Sequence, residues 1–405
     1  MSHACYMAIY LDHAATSPMP PEVVAAYVTA LGVVGNPASI HSQGQNAKRM
    51  LEEAREQVAA SVGADSVEVT FTGGGTEAVN LGIKGLWWAR VSTASTRPGS
   101  ARRRILVPMG EHHATIDAIE WLEKHEGAVI DWIPFDEFGR IDLGYLENAL
   151  GDDVALVTVL SANNEVGTLQ PVREIAALAA AHGVPVHVDA IAEYGYVPID
   201  FHALGVAALS ISAHKIGGPV GVGALVIARS TTIVPLLHGG NQQRARSGTQ
   251  DVAGAVAFGL AATRATAAID EHAAYLRDLR DRLVAGIRSA VPSAVLRGDP
   301  SADGRLPGNA HFTFPGCEGD SLLFLLDVAG FSVSTGSACQ AGVPEASHVL
   351  TAMGLSEADA RGALRMTLGS HTTGQEVDAL IAALPAAVER ASRAGLAEHA
   401  PTFGR

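Results

Sequence analysis

Residues 185–215 read PVHVDAIAEYGYVPIDFHALGVAALSISAHK, and this stretch decides the fold. Two short apolar segments within it, 185–190 and 207–212, have the length and composition of buried strands. Asp189 stands at the end of the first segment, and Lys215 follows the end of the second. Because open α/β sheets bind ligands at the carboxyl ends of their strands, this pattern predicts a sheet with a site at its edge.

The alternation of strands and helices continues on both sides of this stretch. Further strand-like segments lie at 67–72, 105–108, 129–134, 154–160 and 223–228. Amphipathic stretches such as 173–182 separate many of them, and a helical pattern over 22–62, interrupted at 36–39, precedes them all. This order predicts an α/β fold with a mostly parallel sheet covered by helices on both faces.

The pattern changes after about residue 254. An Ala- and Arg-rich helical region at 261–291 leads into a smaller α+β unit, with short strands expected at 294–297, 311–314, 331–334 and 365–368 and a last helix near 376–394. We predict an N-terminal arm (1–20) that joins the small domain, a large cofactor-binding domain (21–258), a small C-terminal domain (259–398) and a loose tail (399–405). A cleft between two domains is a favoured place for a small molecule.

Composition excludes several classes of protein. The chain has 405 residues, of which 48% are hydrophobic and 17% charged, as expected for a compact globular protein. The formal net charge of −14 disfavours general binding to nucleic acid or to an anionic membrane. No apolar run approaches the roughly 18 residues of a membrane span, and three cysteines are too few for a disulfide framework. We therefore expect a soluble, unprocessed protein of the cytoplasm.

A glycine-rich turn is the first candidate for binding. Residues 72–77 read TGGGTE, between a predicted strand and a predicted helix. Free backbone N–H groups and the helix dipole make such a turn suitable for a phosphate group. An ordinary tight turn has the same sequence signature, so the motif alone leaves both alternatives open.

The lysines are few enough to compare. Lys48 and Lys124 occupy ordinary solvated positions and Lys84 lies in a helix, whereas Lys215 alone stands at a strand end among glycines. A lysine in a partly desolvated cleft has a lowered pKa and can form a Schiff base. Asp189 would either serve a ligand or cap the next turn. A phosphate turn, a strand-end carboxylate and a strand-end lysine together match what pyridoxal phosphate requires.

The sequence leaves other candidates undecided. By position alone, Cys5, Cys317 and Cys339 cannot be ranked, although Cys339 lies in a stretch of small residues typical of a loop. His112 and His113 follow a predicted strand, where an imidazole can transfer protons or stack on a cofactor, but among 16 histidines either can be a bystander. No group of His, Cys, Asp or Glu has convincing metal-ligand spacing, so no metal is expected.

Several motifs carry a family resemblance that runs from Tyr10 to about Gly369. They are YLDHAAT at 10–16, GNPAS at 35–39, EHH at 111–113, NNEVG at 163–167, SAHK at 212–215, RSGT at 246–249 and GSAC at 336–339. With them the chain resembles the cysteine desulfurases, pyridoxal-phosphate enzymes of the aspartate-aminotransferase fold (fold type I, aminotransferase class V). The length of the Cys339 loop is similar to that of group I, which serves iron–sulfur cluster assembly and tRNA thiolation.

The resemblance implies an activity and a role for each site residue. L-cysteine would become L-alanine, and its sulfur would pass to Cys339 as a persulfide and then to an acceptor protein such as an iron–sulfur scaffold. The implied residues are Lys215 for covalent cofactor binding and proton removal, Asp189 for the ring nitrogen, and His112 for stacking and proton transfer. Gly75, Thr76, Ser212 and His214 would hold the phosphate, together with Thr249 from the other subunit of a homodimer. Asn36, Asn164 and Arg365 would bind the substrate carboxylate, and Asn164 would also contact the cofactor.

One position departs from the family pattern. The family has a glutamine three residues after the aspartate, which donates to the phenolic oxygen of the cofactor, and this chain has Ala192 there. Loss of a hydrogen bond to a charged oxygen is worth on the order of 1.5–3 kcal/mol. A desulfurase weakened at this position, a related lyase acting on selenocysteine or cysteine sulfinate, and a catalytically silent scaffold are therefore the alternatives.

Overall fold

The computed structural model describes residues 8–94, 102–336 and 346–397. Within them the helices α1 to α13 are Pro21–Leu31, Ser42–Ser61, Gly75–Ala94, His113–Glu126, Leu143–Ala149, Val172–Ala181, Phe201–Leu204, Val252–Ala267, Ile269–Ala290, Gly319–Val328, His348–Ala352, Glu357–Arg361 and Gly374–Ala397. The strands β1 to β12 are Ile9–Tyr10, Val69–Thr72, Arg104–Pro108, Val129–Ile133, Val154–Leu160, Val186–Asp189, Ala208–Ser212, Gly223–Ile227, Val295–Arg297, Asn309–Thr313, Phe331–Ser332 and Ala363–Thr367.

The large sheet has seven strands in the order β2-β8-β7-β6-β5-β3-β4. All neighbouring pairs are parallel except those that β8 makes with β2 and β7, which are antiparallel. Each predicted strand of this domain is present, with ends shifted by two residues at most, which confirms the α/β fold. β6 and β7 end at Asp189 and Ser212, so the predicted groups meet at the carboxyl edge.

Helices cover both faces of the sheet. β5 is buried along its whole length, and its side chains contribute to the cores on both faces of the sheet. On one face Val157 and Val159 join a core to which α2, α6 and α8 contribute. On the other face Ala155 and Leu156 pack with apolar residues of α3 and α4. Burial on both sides is why this strand is almost continuously apolar in sequence.

The small domain is built on two short sheets. One has the order β12-β10-β9 and is antiparallel, and the other pairs β1 with β11 in parallel. Apolar side chains of α9, α10 and α13 cover these strands and form a separate core. The N-terminal arm is thus hydrogen-bonded to the small domain through β1.

The helical region predicted over 261–291 is two helices rather than one. The chain bends by 70° where α8 ends and α9 begins, and Ala268 between them has a non-helical conformation. The bend lets two apolar stripes face different cores: Phe258 of α8 lies in the core of the large domain, and Leu276 of α9 lies in that of the small domain. We therefore propose that the domains divide at Ala268, ten residues beyond the predicted boundary.

In the described part of the chain, no single helix has both the length and the apolar character to cross a membrane. Among the described helices, only α8 and α9 taken together have the length and composition of a membrane span, and that pair is bent.

Candidate active site

A cavity of about 410 Å³ lies between the two domains at the carboxyl edge of the large sheet. The N-terminal arm, the start of α3, the turns after the strands and the small domain form its walls. The predicted site residues that line it are Gly75, Thr76, His112, Asn164, Asp189, His214, Lys215 and Arg365. A larger depression of about 590 Å³ lies at the amino edge of the sheet and contains none of the predicted residues.

Lys215 lies in a single 3₁₀ turn, Ala213–Ile216, directly after β7. Its Nζ donates to the carbonyl oxygens of Ala14 and Ala15 in the N-terminal arm. The pKa of Lys215 is lowered to about 8, first by burial and then by the charge of Arg365, against the opposing charges of acidic neighbours. This amine is therefore much more often neutral near neutral pH than an ordinary lysine.

Asp189 ends β6 and is 2% exposed. Its Oδ1 accepts from the backbone N–H of Ile191, so Asp189 does cap the turn that follows β6. The residue also lines the cavity, where burial raises the pKa of its carboxyl to about 6 and the charge of Lys215 lowers it in part. A positively charged ring nitrogen beside this carboxyl would favour its ionised form.

The start of α3 has the features of an anion site. The helix begins at Gly75, and a Cβ there would lie 2.4 Å from Ile191 Cδ1, so a larger residue would fill the space. Ser212 is fully buried, and its Oγ has no hydrogen-bond partner among the described residues. Its Cβ is 3.3 Å from the same position beside Gly75. A phosphate at this helix start would give the Ser212 hydroxyl the partner that it lacks.

The tautomer of His112 follows from its hydrogen bond. The residue caps α4, where its Nδ1 accepts from the N–H of Ala114 at 3.0 Å. Desolvation of the imidazole by the surrounding protein lowers its pKa to about 4, and the positive charge of Lys215 lowers it further. The imidazole is therefore neutral at pH 7, with its proton assigned to Nε2 because Nδ1 is used as an acceptor.

A buried carboxyl next to His112 was not singled out from the sequence. Glu111 is 2% exposed, and its Oε1 accepts from the backbone N–H of Leu160 at 2.7 Å. Burial raises its pKa well above the usual range, and the charge of Asp189 adds to the increase. In the sequence, the EHH motif places Glu111 beside His112 but does not indicate that it is buried. Its burial results from tertiary packing.

Arg365 lies on β12 at the small-domain side of the cavity and is 5% exposed. Its Nη1 donates to the backbone oxygen of Asn164, and its Nη2 donates to Asp12 Oδ1, each at 2.8 Å. A guanidinium has five N–H donors in a planar fork, so donors remain for a carboxylate. The predicted pair of Arg365 and Asn164 is therefore together, and Asp12 is a member that the sequence did not predict.

Of the predicted site residues that the structure describes, Asn36, Ser212 and Thr249 do not line this cavity. Asn36 lies between α1 and α2, where its Oδ1 accepts from the N–H of Ala38. Thr249 lies in the connection before α8 and does not reach the cavity of its own chain. Cys339 lies outside the described residues. Ala192 does line the cavity, where its methyl group can donate no hydrogen bond.

A group with metal-ligand chemistry lies away from the cavity. Asp65, Glu68 and His202 place ligand atoms within 4.8 Å of one another. Arg229 pairs with Asp65 at 2.7 Å, and His202 Nε2 is 2.8 Å from Glu68 Oε2. These contacts satisfy the charges locally, and we assign the group a structural role beside β2 and keep the prediction of no metal.

Comparisons with known proteins identify the family and the fold of the chain. The aminotransferase class-V family profile matches residues 9–380. An "IscS-like cysteine desulfurase" of Mycobacterium tuberculosis is 50% identical over 393 residues, which are 96% of this chain and 98% of that protein. A solved "NIFS-LIKE PROTEIN" has a TM-score of 0.85 at 33% identity, covering 95% of this chain and 100% of its own. The structure titled "SspA in complex with cysteine" has a TM-score of 0.75 at 29% identity, covering 90% and 100%.

Proposed function

Because the chain belongs to the aminotransferase class-V family, we propose from its site that it is a cysteine desulfurase, which converts L-cysteine to L-alanine and transfers the sulfur. One observation carries this proposal: Lys215, Asp189 and Arg365 line a single cavity of about 410 Å³. An amine with a lowered pKa, a buried carboxylate and a guanidinium are what an amino acid and its cofactor need at one place.

The cofactor that this site fits is pyridoxal phosphate. The start of α3 at Gly75 with Thr76, and the unpaired hydroxyl of Ser212, would hold its phosphate, and Asp189 would hold its ring nitrogen. When bound, the cofactor supplies an electron sink for charge that develops at the α-carbon of the substrate. Ala192 offers no donor to it, and this position favours the alternative of a related lyase acting on selenocysteine or cysteine sulfinate.

Arg365, Lys215 and His112 have different roles toward the substrate. The fork of Arg365 binds the α-carboxylate and thereby orients the α-carbon toward Lys215. The Nζ of Lys215 removes the α-proton, for which its pKa of about 8 is well matched. His112 lines the cavity and carries its proton on Nε2, so its imidazole can donate to a bound ligand.

Sulfur transfer requires a thiolate, which we assign to Cys339 from the sequence motif. The thiolate attacks the sulfur of the substrate: an S–S bond forms, the C–S bond breaks, and its electron pair stays with the three-carbon product. That product takes up one proton at its β-carbon, regains one at its α-carbon, and leaves as L-alanine. The persulfide sulfur then passes to an acceptor protein, such as an iron–sulfur scaffold, in the cytoplasm, a compartment that the scarcity of cysteine supports.

We propose a homodimer as the working form. Thr249 lies outside the cavity of its own chain, which supports its assignment to the phosphate site of the partner subunit.

Product analysis tests this function. Purified protein loaded with pyridoxal phosphate is incubated with L-cysteine and a thiol reductant, and alanine and sulfide are measured. We expect equal amounts of both, loss of both in Lys215→Ala, and loss of turnover in Cys339→Ala with cysteine still able to change the absorption spectrum of the cofactor. Absence of alanine with wild-type protein would reject the desulfurase assignment, and alanine formation from cysteine sulfinate or selenocysteine alone would establish the alternative.

A further inference from the structure

The carboxylate of Asp12 occupies the end of the cavity where Arg365 lies. Asp12 Oδ1 accepts from Arg365 Nη2 at 2.8 Å, and the side chains are 19% and 6% exposed. An ion pair so little exposed to water is weakly screened, and its geometry is correspondingly well defined. This contact joins residues that lie 353 positions apart in the chain.

The backbone sets the position of this pair. Around Thr367 of β12, the N–H donates to Leu11 O, while the Oγ1 accepts from Ala14 N at 2.8 Å. The arm therefore runs beside the strand that carries Arg365, two residues before Thr367. Because both partners lie on hydrogen-bonded neighbouring segments, Asp12 meets the guanidinium without any movement of the domains.

The same arm also holds the catalytic lysine. Lys215 Nζ donates to the carbonyl oxygens of Ala14 and Ala15, and the charge of Asp12 acts on it in opposition to that of Arg365. Residues 12–15 thus contact Arg365 and Lys215, the side chains that would meet the carboxylate and the α-carbon of an amino acid.

The remaining contacts of Arg365 leave room for a ligand. Its Nη1 donates to Asn164 O, and its Nε is buried with no partner among the described residues. The contacts with Asn164 and Asp12 use two of the five N–H donors of Arg365. Each η nitrogen therefore keeps one N–H for a ligand carboxylate. We propose that Asp12 is a positioning residue: it holds the guanidinium of Arg365 in the orientation that receives the α-carboxylate, so that affinity for the amino acid depends on it. This inference rests on the proposed function of the cavity.

Binding measurements separate this role from a general structural one. Holoenzyme is titrated with L-alanine and with ethylamine, which lacks the carboxylate, while the absorption of the cofactor is followed. We expect Asp12→Ala to weaken L-alanine binding by about 10-fold to 100-fold and to leave ethylamine binding unchanged. Asp12→Asn keeps an oxygen acceptor for Nη2 and should lose less. Glu22→Gln, which removes an exposed acidic partner of Arg264, is the matched control and should change neither ligand.

Steady-state kinetics and a double variant complete the test. Asp12→Ala should raise KM for L-cysteine by the same factor with kcat changed less than about threefold, and it should have no further effect in an Arg365→Ala background. An unchanged KM, or a lower KM that would mark Asp12 as a competitor of the substrate carboxylate, overturns the proposal. Should wild-type protein form no alanine from cysteine, the desulfurase assignment fails, while carboxylate-dependent binding still decides the role of Asp12.

Discussion

The unpaired hydroxyl of Ser212 allows a prediction in which the same substitution has opposite effects on stability and on cofactor binding. Ser212→Ala removes a fully buried hydroxyl that lacks a partner in the described structure. Without cofactor, the variant should therefore be as stable as wild type or more stable by up to about 1 kcal/mol, because desolvation of an unpaired group is avoided. With cofactor, it loses a hydrogen bond to a charged phosphate, worth about 1.5–3 kcal/mol, so affinity should fall about 10-fold to 150-fold.

Ser210→Ala is the matched control, since it is the same change on the same strand two residues earlier. The Ser210 hydroxyl is 2.8 Å from His187 Nε2, and its removal leaves that buried nitrogen unpaired. This variant should be destabilised by about 1–3 kcal/mol, with cofactor affinity unchanged. Melting temperatures of cofactor-free protein and titration with pyridoxal phosphate, followed by absorbance, give both quantities. Equal cofactor affinity in Ser212→Ala and wild type, or equal destabilisation of the two variants, would refute the assignment of Ser212 to the phosphate.

Three further predictions concern the same cavity. Because burial lowers the pKa of Lys215 to about 8, the rate at which cofactor-free protein captures pyridoxal phosphate should rise with pH to a midpoint near 8, and a midpoint near 10.5 would contradict the structure. Burial raises the pKa of Asp189 from 3.8 to about 6, so ionisation of this carboxyl above pH 6 favours the unfolded chain by about 3 kcal/mol. Cofactor-free Asp189→Asn should therefore have a higher melting temperature than wild type at pH 7, and the difference should vanish toward pH 4. Equal melting temperatures at both pH values would count against this burial. Gly75→Ala places a Cβ 2.4 Å from Ile191 Cδ1 and should weaken cofactor binding by about tenfold or more in the same titration, whereas unchanged affinity would mean that the space beside Gly75 is not used.

The sequence predicts the strands and their terminal polar residues well, because both depend on local pattern. Buried strands such as β5 are apolar because both of their faces pack, and their ends are marked by a change to polar residues. Once the strands were known to be parallel, Asp189 and Lys215 had to lie at one edge of the sheet. Because the chain has only four lysines, Lys215 could be selected as the candidate from its position alone.

The same reasoning missed features that depend on packing between distant segments. The helical pattern across 261–291 has no proline, and its glycine, Gly286, is far from Ala268, so nothing in it marks the bend. The bend arises because α8 and α9 face two different cores. Asp12 belongs to the family motif near the N-terminus, but nothing in that motif indicates that its carboxylate meets Arg365. The complete burial of Glu111 and the missing partner of Ser212 are likewise properties of the assembled protein.

The sequence by itself determined the fold class, the family, and which lysine and which strand-end carboxylate belong to the site, since periodicity, residue type and spacing are local properties of the chain. Only the tertiary structure decided which charges face one another across the cavity, how far burial shifts the pKa values of Lys215 and Asp189, and that the N-terminal arm holds both Arg365 and Lys215. The physical reason is that desolvation and Coulomb interaction depend on distances through space, and folding brings residue 12 to residue 365 by hydrogen bonds between strands rather than by any signal near either residue.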